Sequence, residues 1–493
     1  MSAAAPLPIA LPILAAGGAI VLRHRIPWPR ALGLSAIAFH LGLAIAFVFA
    51  TRTGEVLAVQ VGDWPAPFAI ALAVDPFSAL MLLVASMMVA TCTIFAIATG
   101  EDHRPFFYPL VLVLLAGVSG AFITADLFNL FVFFEVMLIA SYVLLTMRGG
   151  ASQVVGGTVY VTTNLLASTI FLLGTGVMYG VTGTVNMAEL ARVAPGSPGA
   201  IFAGALLLVS FGIKASLVPV HGWLPSSYPR ATPAVAALFS GLLTKVGVYA
   251  LFRIYSVVFD GAPQFRTALL VMAAATMLAG VFAAMGAESM RLILSFHIVS
   301  QVGYMIMGLG LFGVLGLAGG IFYILHHIVV KTSLFLAAGA VEVHEGTGVL
   351  NRLGGAARRH PLLAAGFAFS AFSLAGLPPF SGFFAKLVLV RAAFSSGSYA
   401  IAGISILVSF FTLLSMLKIW NAAFWGDRPD GRADSETDAA SRRAGIVAPG
   451  VLLAVVSVVM GLFAQQMFEL SRTAAAVLVD TTPYVDAILG GAP

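Results

Sequence analysis

AIFAGALLLVSFGIKASLVP (200–219) is an apolar run whose single charge is Lys214. A bilayer core of about 30 Å takes roughly 20 apolar residues of helix, so this run is long enough to cross one with a lysine inside it. Pro219 ends the run, because proline lacks an amide donor and clashes with the preceding turn. TPAVAALFSGLLTKVGVYALFRIYSV (232–257) then repeats the pattern, with Lys245 in its interior. A water-soluble fold would not hide two lysines in this way, since uncompensated buried charge is costly.

The same reading extends to both ends of the 493-residue chain. Further apolar runs lie at about 5–22, 31–50, 74–98, 106–123, 127–147, 155–181, 265–286, 291–312, 315–341, 362–390, 400–424 and 446–467. Hydrophobic residues make up 60% of the chain and charged ones 9%, against about 25% charged in soluble domains. Mean hydropathy is +1.03. The expected fold is an all-α polytopic membrane protein of about 14 transmembrane helices. No strand pattern is evident, which disfavours a β-barrel. Cys92 is the single cysteine, so no disulfide forms within the chain and it reads as a packing residue. Basic residues follow the first apolar run (Arg23, Arg25, Arg30) instead of preceding it, which favours a retained helix over a cleaved signal peptide.

Charge placement gives the topology. Loops after odd-numbered runs hold most of the basic residues, from Arg23 and Arg104 through Arg148, Arg230, Arg291 and Arg352 to Lys418 and Arg443. Loops after even-numbered runs hold Arg52, Arg192, Arg253, Arg266 and Arg391. The positive-inside rule therefore puts the odd loops in the cytoplasm and both termini outside a bacterial cell (inner) membrane. No separate basic face suggests nucleic acid. Asp427 to Arg443 mixes both charge signs without apolar anchors and reads as a cytoplasmic loop. Gly308, Gly310 and Gly313 form a GxGxxG string inside an apolar helix, where packing is the better reading than dinucleotide binding.

Pro219 interrupts the seventh run, and Pro378 and Pro379 interrupt the twelfth. Interrupted helices at matching positions in two halves point to inverted repeats and to a transport site. The spacing predicts two five-helix repeats, helices 4–8 (106–257) and 9–13 (265–424). These follow an N-terminal unit (1–98) and precede the polar loop (425–445) and the last helix with its tail (446–493). The tail beyond Phe468 is weakly amphipathic and suits the outer surface.

Four lysines, Lys214, Lys245, Lys331 and Lys386, fall within apolar runs, whereas arginines fall in loops or near helix ends. Arginine stays protonated, but a desolvated lysine can release its proton. Glu135 is the acidic residue near the middle of a run, while Asp75 and Asp126 sit at helix ends where water should reach them. A mid-membrane charge costs about 2.5–3.5 kcal/mol, so five together cost on the order of 10 kcal/mol, comparable to the stability of a domain. A salt bridge between Glu135 and one lysine would leave three lysines unexplained. A chain of proton-exchanging sites accounts for all of them. His326, His327 and Lys331 share one helix, and the spacing of four places His327 and Lys331 on one face. Histidine suits a relay near neutral pH. His221, just past the Pro219 break, and His297, with Ser295 and Ser300 nearby, are secondary candidates. No carboxylate or cysteine stands at ligand spacing from the histidine pair, so neither a metal nor a cofactor is expected.

DLFNLFVFFEVMLIASYVLL (126–145), KASLVPVHGWLPSSYPRATPAVAALFSGLLTKVGVYALFR (214–253), HHIVVKTSLF (326–335) and LAGLPPFSGFFAK (374–386) resemble the antiporter-like subunits of respiratory complex I and Mrp-type multisubunit Na+/H+ antiporters. The likeness spans roughly 70–420, and the wording is most similar to the Mrp D branch. It implies that Glu135 and Lys214 form an ion pair and that protons pass by Lys245 and the His327/Lys331 group to Lys386. It also implies A-type and small membrane subunits as partners, with protons and Na+ as the ions moved. Two alternatives remain open at this point: a proton-pumping membrane subunit of complex I or a membrane-bound hydrogenase, and a self-sufficient permease.

Overall fold

The structure, a computed structural model, describes residues 1–23, 27–64, 68–427 and 444–490. In hydrocarbon no water is available to the backbone, so an apolar chain satisfies its amides and carbonyls inside helices. The N-terminal part forms α1 (Leu7–Val21), α2 (Pro27–Thr51) and α3 (Pro76–Thr99). Next come α4 (Phe107–Ile123), α5 (Leu127–Thr146), α6 (Ala151–Thr182), a short α7 (Met187–Val193), α8 (Pro198–Ala215), α9 (Trp223–Ser227) and α10 (Pro233–Arg253). The second part contains α11 (Pro263–Gly286), α12 (Met290–Leu311), α13 (Gly313–Glu345), α14 (Ala356–Arg359), α15 (Pro361–Ala375), α16 (Ser381–Ser395) and α17 (Tyr399–Ile419). The chain closes with α18 (Ala444–Leu462), α19 (Ala464–Val479) and α20 (Thr482–Leu489). Among the described residues, twelve helices are long and apolar enough to cross a membrane. The apolar runs at 106–123 and 362–390 fall on shorter helices, α4 with 17 residues and α15 with 15.

A helix that is apolar all round is a buried one, and α10 is buried along its whole length. Beside it runs α13, whose 33 residues make it about 50 Å long. It packs against α3, α10, α12, α15, α16, α18 and α19. The central lysines therefore sit on the most enclosed helices. Helices α1, α2 and α6 form the periphery, each with about a third of its apolar window buried.

Two helices stop in mid-protein in the same way. At the end of α8, Ser216 takes a left-handed φ of 64°. The Ser216 and Leu217 amides turn back to the Ile213 and Gly212 carbonyls at 3.0 and 2.8 Å. At the end of α15, Gly376 has φ 90°, and the Gly376 and Leu377 amides return to Ser373 and Phe372, both at 3.1 Å. Each is a helix C-terminus closed by backbone alone, just ahead of the prolines.

Three expectations need correction. A four-residue antiparallel ladder does exist: β1 (Leu57–Gln60) pairs with β2 (Ala71–Val74) in the connection between α2 and α3. Alternation over four residues is too short to stand out beside long apolar runs. The glycine string straddles a junction instead of lying inside one helix, since α12 ends at Leu311 and α13 begins at Gly313. Its packing role holds at Gly308, where an added Cβ would lie 2.6 Å from the Gly320 Cα. The tail beyond Phe468 is not simply laid on a surface: α19 buries Ser471, Ala474, Ala475, Val477 and Leu478, packing on α13 and α3. The expected polar loop falls largely on 428–443, outside the described residues.

Candidate functional site

The stations follow one another on touching helices: α5 packs on α6, α6 on α8, α8 on α10, α10 on α13, and α13 on α16. Glu135 lies on α5, Ser168 on α6 and Lys214 in the last turn of α8. Lys214 Nζ donates to Ser168 Oγ at 2.9 Å, and the Ser168 hydroxyl donates to Glu135 Oε1. The expected direct Glu135–Lys214 pair is thus replaced by a serine-bridged one. No spacing in the sequence marks Ser168, because a serine in an apolar helix is usually a packing residue. The Phe134 ring, 4.9 Å from Nζ, adds a cation–π contact. Glu135 is half-buried, not buried. Its neighbours on the same helical face, Val132, Ile139 and Val143, are exposed, so α5 presents the carboxylate towards the outside of this chain.

Lys245, on α10, is fully buried and donates to the Ser240 carbonyl. Lys331, on α13, is equally buried and donates to Leu294 O on α12 at 3.0 Å. His327 shares the Lys331 face and lies within electrostatic reach of Lys245, Lys331, His326 and His297. Both of its ring nitrogens are buried without a hydrogen-bond partner. Buried polar atoms are nearly always satisfied, so an unsatisfied imidazole among lysines is where a relay would need open valence.

Lys386 starts on α16 but reaches back across the break, donating to Leu374 O at 2.9 Å and Ala375 O at 3.1 Å. These are carbonyls left free at the end of α15, the negative pole of that helix. The Tyr304 ring lies 4.9 Å from Nζ. His326 Nδ1 is 2.8 Å from Ser381 Oγ, and Ser381 belongs to a buried hydroxyl cluster with Ser373 and Ser457 at 2.7–3.2 Å. Gly382 makes this approach possible, as a Cβ there would stand 2.9 Å from the His326 ring. His297 Nε2 lies 2.5 Å from Ser415 Oγ. His221 sits half-exposed just beyond the α8 break, apart from the lysine row, with Nδ1 buried and unpartnered. No group of three His, Cys, Asp or Glu side chains able to hold a metal occurs among the described residues.

Asp75 and Asp126 are not open to water as expected. Asp75 is completely buried, and Arg253 meets it at 2.7 Å while itself only 2% exposed. Arg253 also donates to Tyr249 Oη at 2.7 Å, and the Tyr484 ring of α20 covers its guanidinium at 5.0 Å. Asp126 is 6% exposed and caps α5 through the Asn129 amide at 2.6 Å. Position at a helix end implied access, but the hairpin and the C-terminal helices cover this end.

A family model described as NADH:quinone oxidoreductase/Mrp antiporter, transmembrane, matches residues 124–412. The chain belongs to this family. All the stations from Glu135 to Lys386 lie inside the matched segment. The D-type Na(+)/H(+) antiporter protein of Alkalihalophilus pseudofirmus is 41% identical over 489 residues, covering 98% of each chain. A chain in the structure of the Mrp complex from Dietzia sp. DQ12-45-1b superposes with a TM-score of 0.94 at 42% identity, over 99% of this chain and all of that one. A chain of respiratory complex I from Thermus thermophilus superposes at 0.81 with 26% identity, over 97% of this chain and all of that one. The family's architecture is therefore the one described above.

Proposed function

We propose that this chain is the D-type subunit of a multisubunit Na+/H+ antiporter in a bacterial cell membrane and conducts the proton leg of the exchange. The carrying observation is the row of titratable side chains on successively packed helices, joined across α6 by the Ser168 hydroxyl. Lys214 loads while linked through Ser168 to Glu135, Lys245 and the His327/Lys331 pair relay, and Lys386 exchanges the proton at the second break. His326, His297 and His221 are auxiliary positions around that row. The matching hydrogen-bond closures at Ser216 and Gly376 support reading the segments 106–257 and 265–424 as inverted repeats. The arginine-rich face is read as cytoplasmic.

Partners of the A type and small membrane subunits fit the half-buried Glu135. A carboxylate facing lipid at mid-membrane would cost about 2.5–3.5 kcal/mol, and a neighbouring protein covering α5 removes that cost. Glu135→Ala or Lys214→Ala should abolish Na+-dependent proton exchange in membrane vesicles while the complex still assembles; undiminished exchange in both variants would sink the reading. The likeness to complex I keeps a redox-driven pump as the second reading. Copurification with iron–sulfur or flavin subunits, in place of small membrane subunits, would favour it.

A further inference from the structure

A cavity of about 960 Å³ opens on the arginine-rich face, lined by Glu101, Arg104, Arg148, Arg230, Arg291 and Glu342 among others. Two of these residues are already engaged with each other. Arg291 holds Glu342 at 2.6 Å and the Ala231 carbonyl at 2.6 Å. Glu101 is different. It follows α3 directly, and its Oε1 accepts from the Ala234 amide in the first turn of α10 at 3.3 Å and from Thr99 Oγ1 at 3.5 Å. Its Oε2 is buried at the cavity wall with no hydrogen-bond partner.

Helix α10 connects this carboxylate to the lysine row. Lys245 does not point away from the cavity: its amine folds back along α10 to the Ser240 carbonyl. From Ala234 to Ser240 is six residues, about 9 Å along the axis, a distance that two or three waters would have to bridge. The Ser240 hydroxyl lies within that stretch, bonded to Ala237 O at 2.8 Å, and buried Thr244 Oγ1 carries no partner. The arginines outnumber the carboxylates around the cavity, and no cation-holding cluster occurs among the described residues. The cavity thus offers no carboxylate cluster of the kind that holds a divalent cation, whereas a proton needs a single acceptor.

We infer that Glu101 is the proton-exchanging group of this face, shuttling protons between the water of the cavity and Lys245. The inference rests on the proton-path reading above. In either direction the transfer balances: one oxygen–proton bond of the Glu101 carboxyl breaks or forms as the lysine amine gains or loses the same proton through water. Several groups set the carboxyl's affinity. Burial pushes it above the ordinary carboxylate range, while the Thr232 side chain, the Ala234 amide and the Arg291 and Arg104 guanidiniums pull it down. Cys92 of α3 also lies within electrostatic reach, and Glu342, on the same cavity, is paired with Arg291.

The test uses the assembled complex in everted vesicles, where the medium bathes the arginine-rich face. Glu101→Gln should slow exchange about tenfold or more and flatten the dependence on medium pH, because a general acid–base group is lost. Glu101→Asp should keep that dependence. Thr232→Val removes a hydroxyl that favours the carboxylate, so the midpoint should move to higher pH; this variant carries the test should Glu101→Gln fail to assemble. Wild-type rate and profile in Glu101→Gln, a slowed rate with unchanged profile, or an unmoved midpoint in Thr232→Val would each overturn the inference. Glu135→Ala separates the two readings: if it abolishes exchange while Glu101→Gln behaves as wild type, only the role of Glu101 falls.

Discussion

On the proposed proton path, removing one oxygen atom from α6 should break the link between Glu135 and Lys214 and slow exchange. Ser168 accepts a hydrogen bond from Lys214 Nζ at 2.9 Å and donates its own hydroxyl in a hydrogen bond to Glu135. Both bonds involve a charged partner, and such bonds contribute about 1.5–3 kcal/mol each. Ser168→Ala removes both; at about 1.4 kcal/mol per tenfold in rate, dependence of the transfer on even one of them slows exchange by about 10- to 100-fold. Ser168→Ala changes little volume, so the complex should assemble in normal amount. The assay is Na+-dependent proton movement in everted vesicles, normalised to the quantity of assembled complex. Ser168→Thr keeps the hydroxyl and should restore most of the rate. Wild-type exchange in the Ala variant would refute the serine bridge and restore a direct contact, or no contact, between Glu135 and Lys214.

Other perturbations test different parts of the architecture. Lys386→Arg retains the charge and donors for the Leu374 and Ala375 carbonyls but cannot release a proton, so assembly should be normal and exchange absent; measurable exchange would show that Lys386 does not titrate in turnover. Asp75→Asn leaves the buried Arg253 guanidinium without its counter-charge, which should lower the stability of the solubilised complex by about 3–5 kcal/mol. Adding Arg253→Met to it should recover part of the lost thermal midpoint. Gly247→Ala places a Cβ 2.8 Å from the Ala215 amide nitrogen and 3.0 Å from the Lys214 carbonyl carbon. It should cost about 1–3 kcal/mol by overpacking and slow exchange by displacing Lys214; unchanged melting and exchange would mean that α8 and α10 part freely.

The lysine row was legible because its residues violate the rule of their surroundings. An ammonium in an apolar run stands out in one dimension, and so does a proline where a helix should continue. Glu135 was legible as a position but not in its orientation, since a charge at mid-helix does not state which face its helix turns outward. Ser168, Ser381 and Ser457 carried no signal: hydroxyls are common in membrane helices, and their importance lies in which distant atoms they touch. The Asp75–Arg253 pair was hidden for the same reason, its members 178 positions apart and each near a helix end that the folded chain covers. The hairpin was too short to show a period. What the sequence expresses is cost, whereas compensation is settled in three dimensions.

The two ends of the row differ in what mutation can reach. At Lys214 the arrangement needs three side chains at once, on α5, α6 and α8, and a change in any of them breaks the link. At Lys386 the acceptors are main-chain carbonyls of an interrupted helix, which no substitution at Leu374 or Ala375 deletes. Sequence drift therefore has three targets at the first site and essentially one at the second. Among variants assembled at random, failures at the Lys214 site should outnumber failures at the Lys386 site, and suppressor changes should arise around Ser168 more readily than around the break before Lys386.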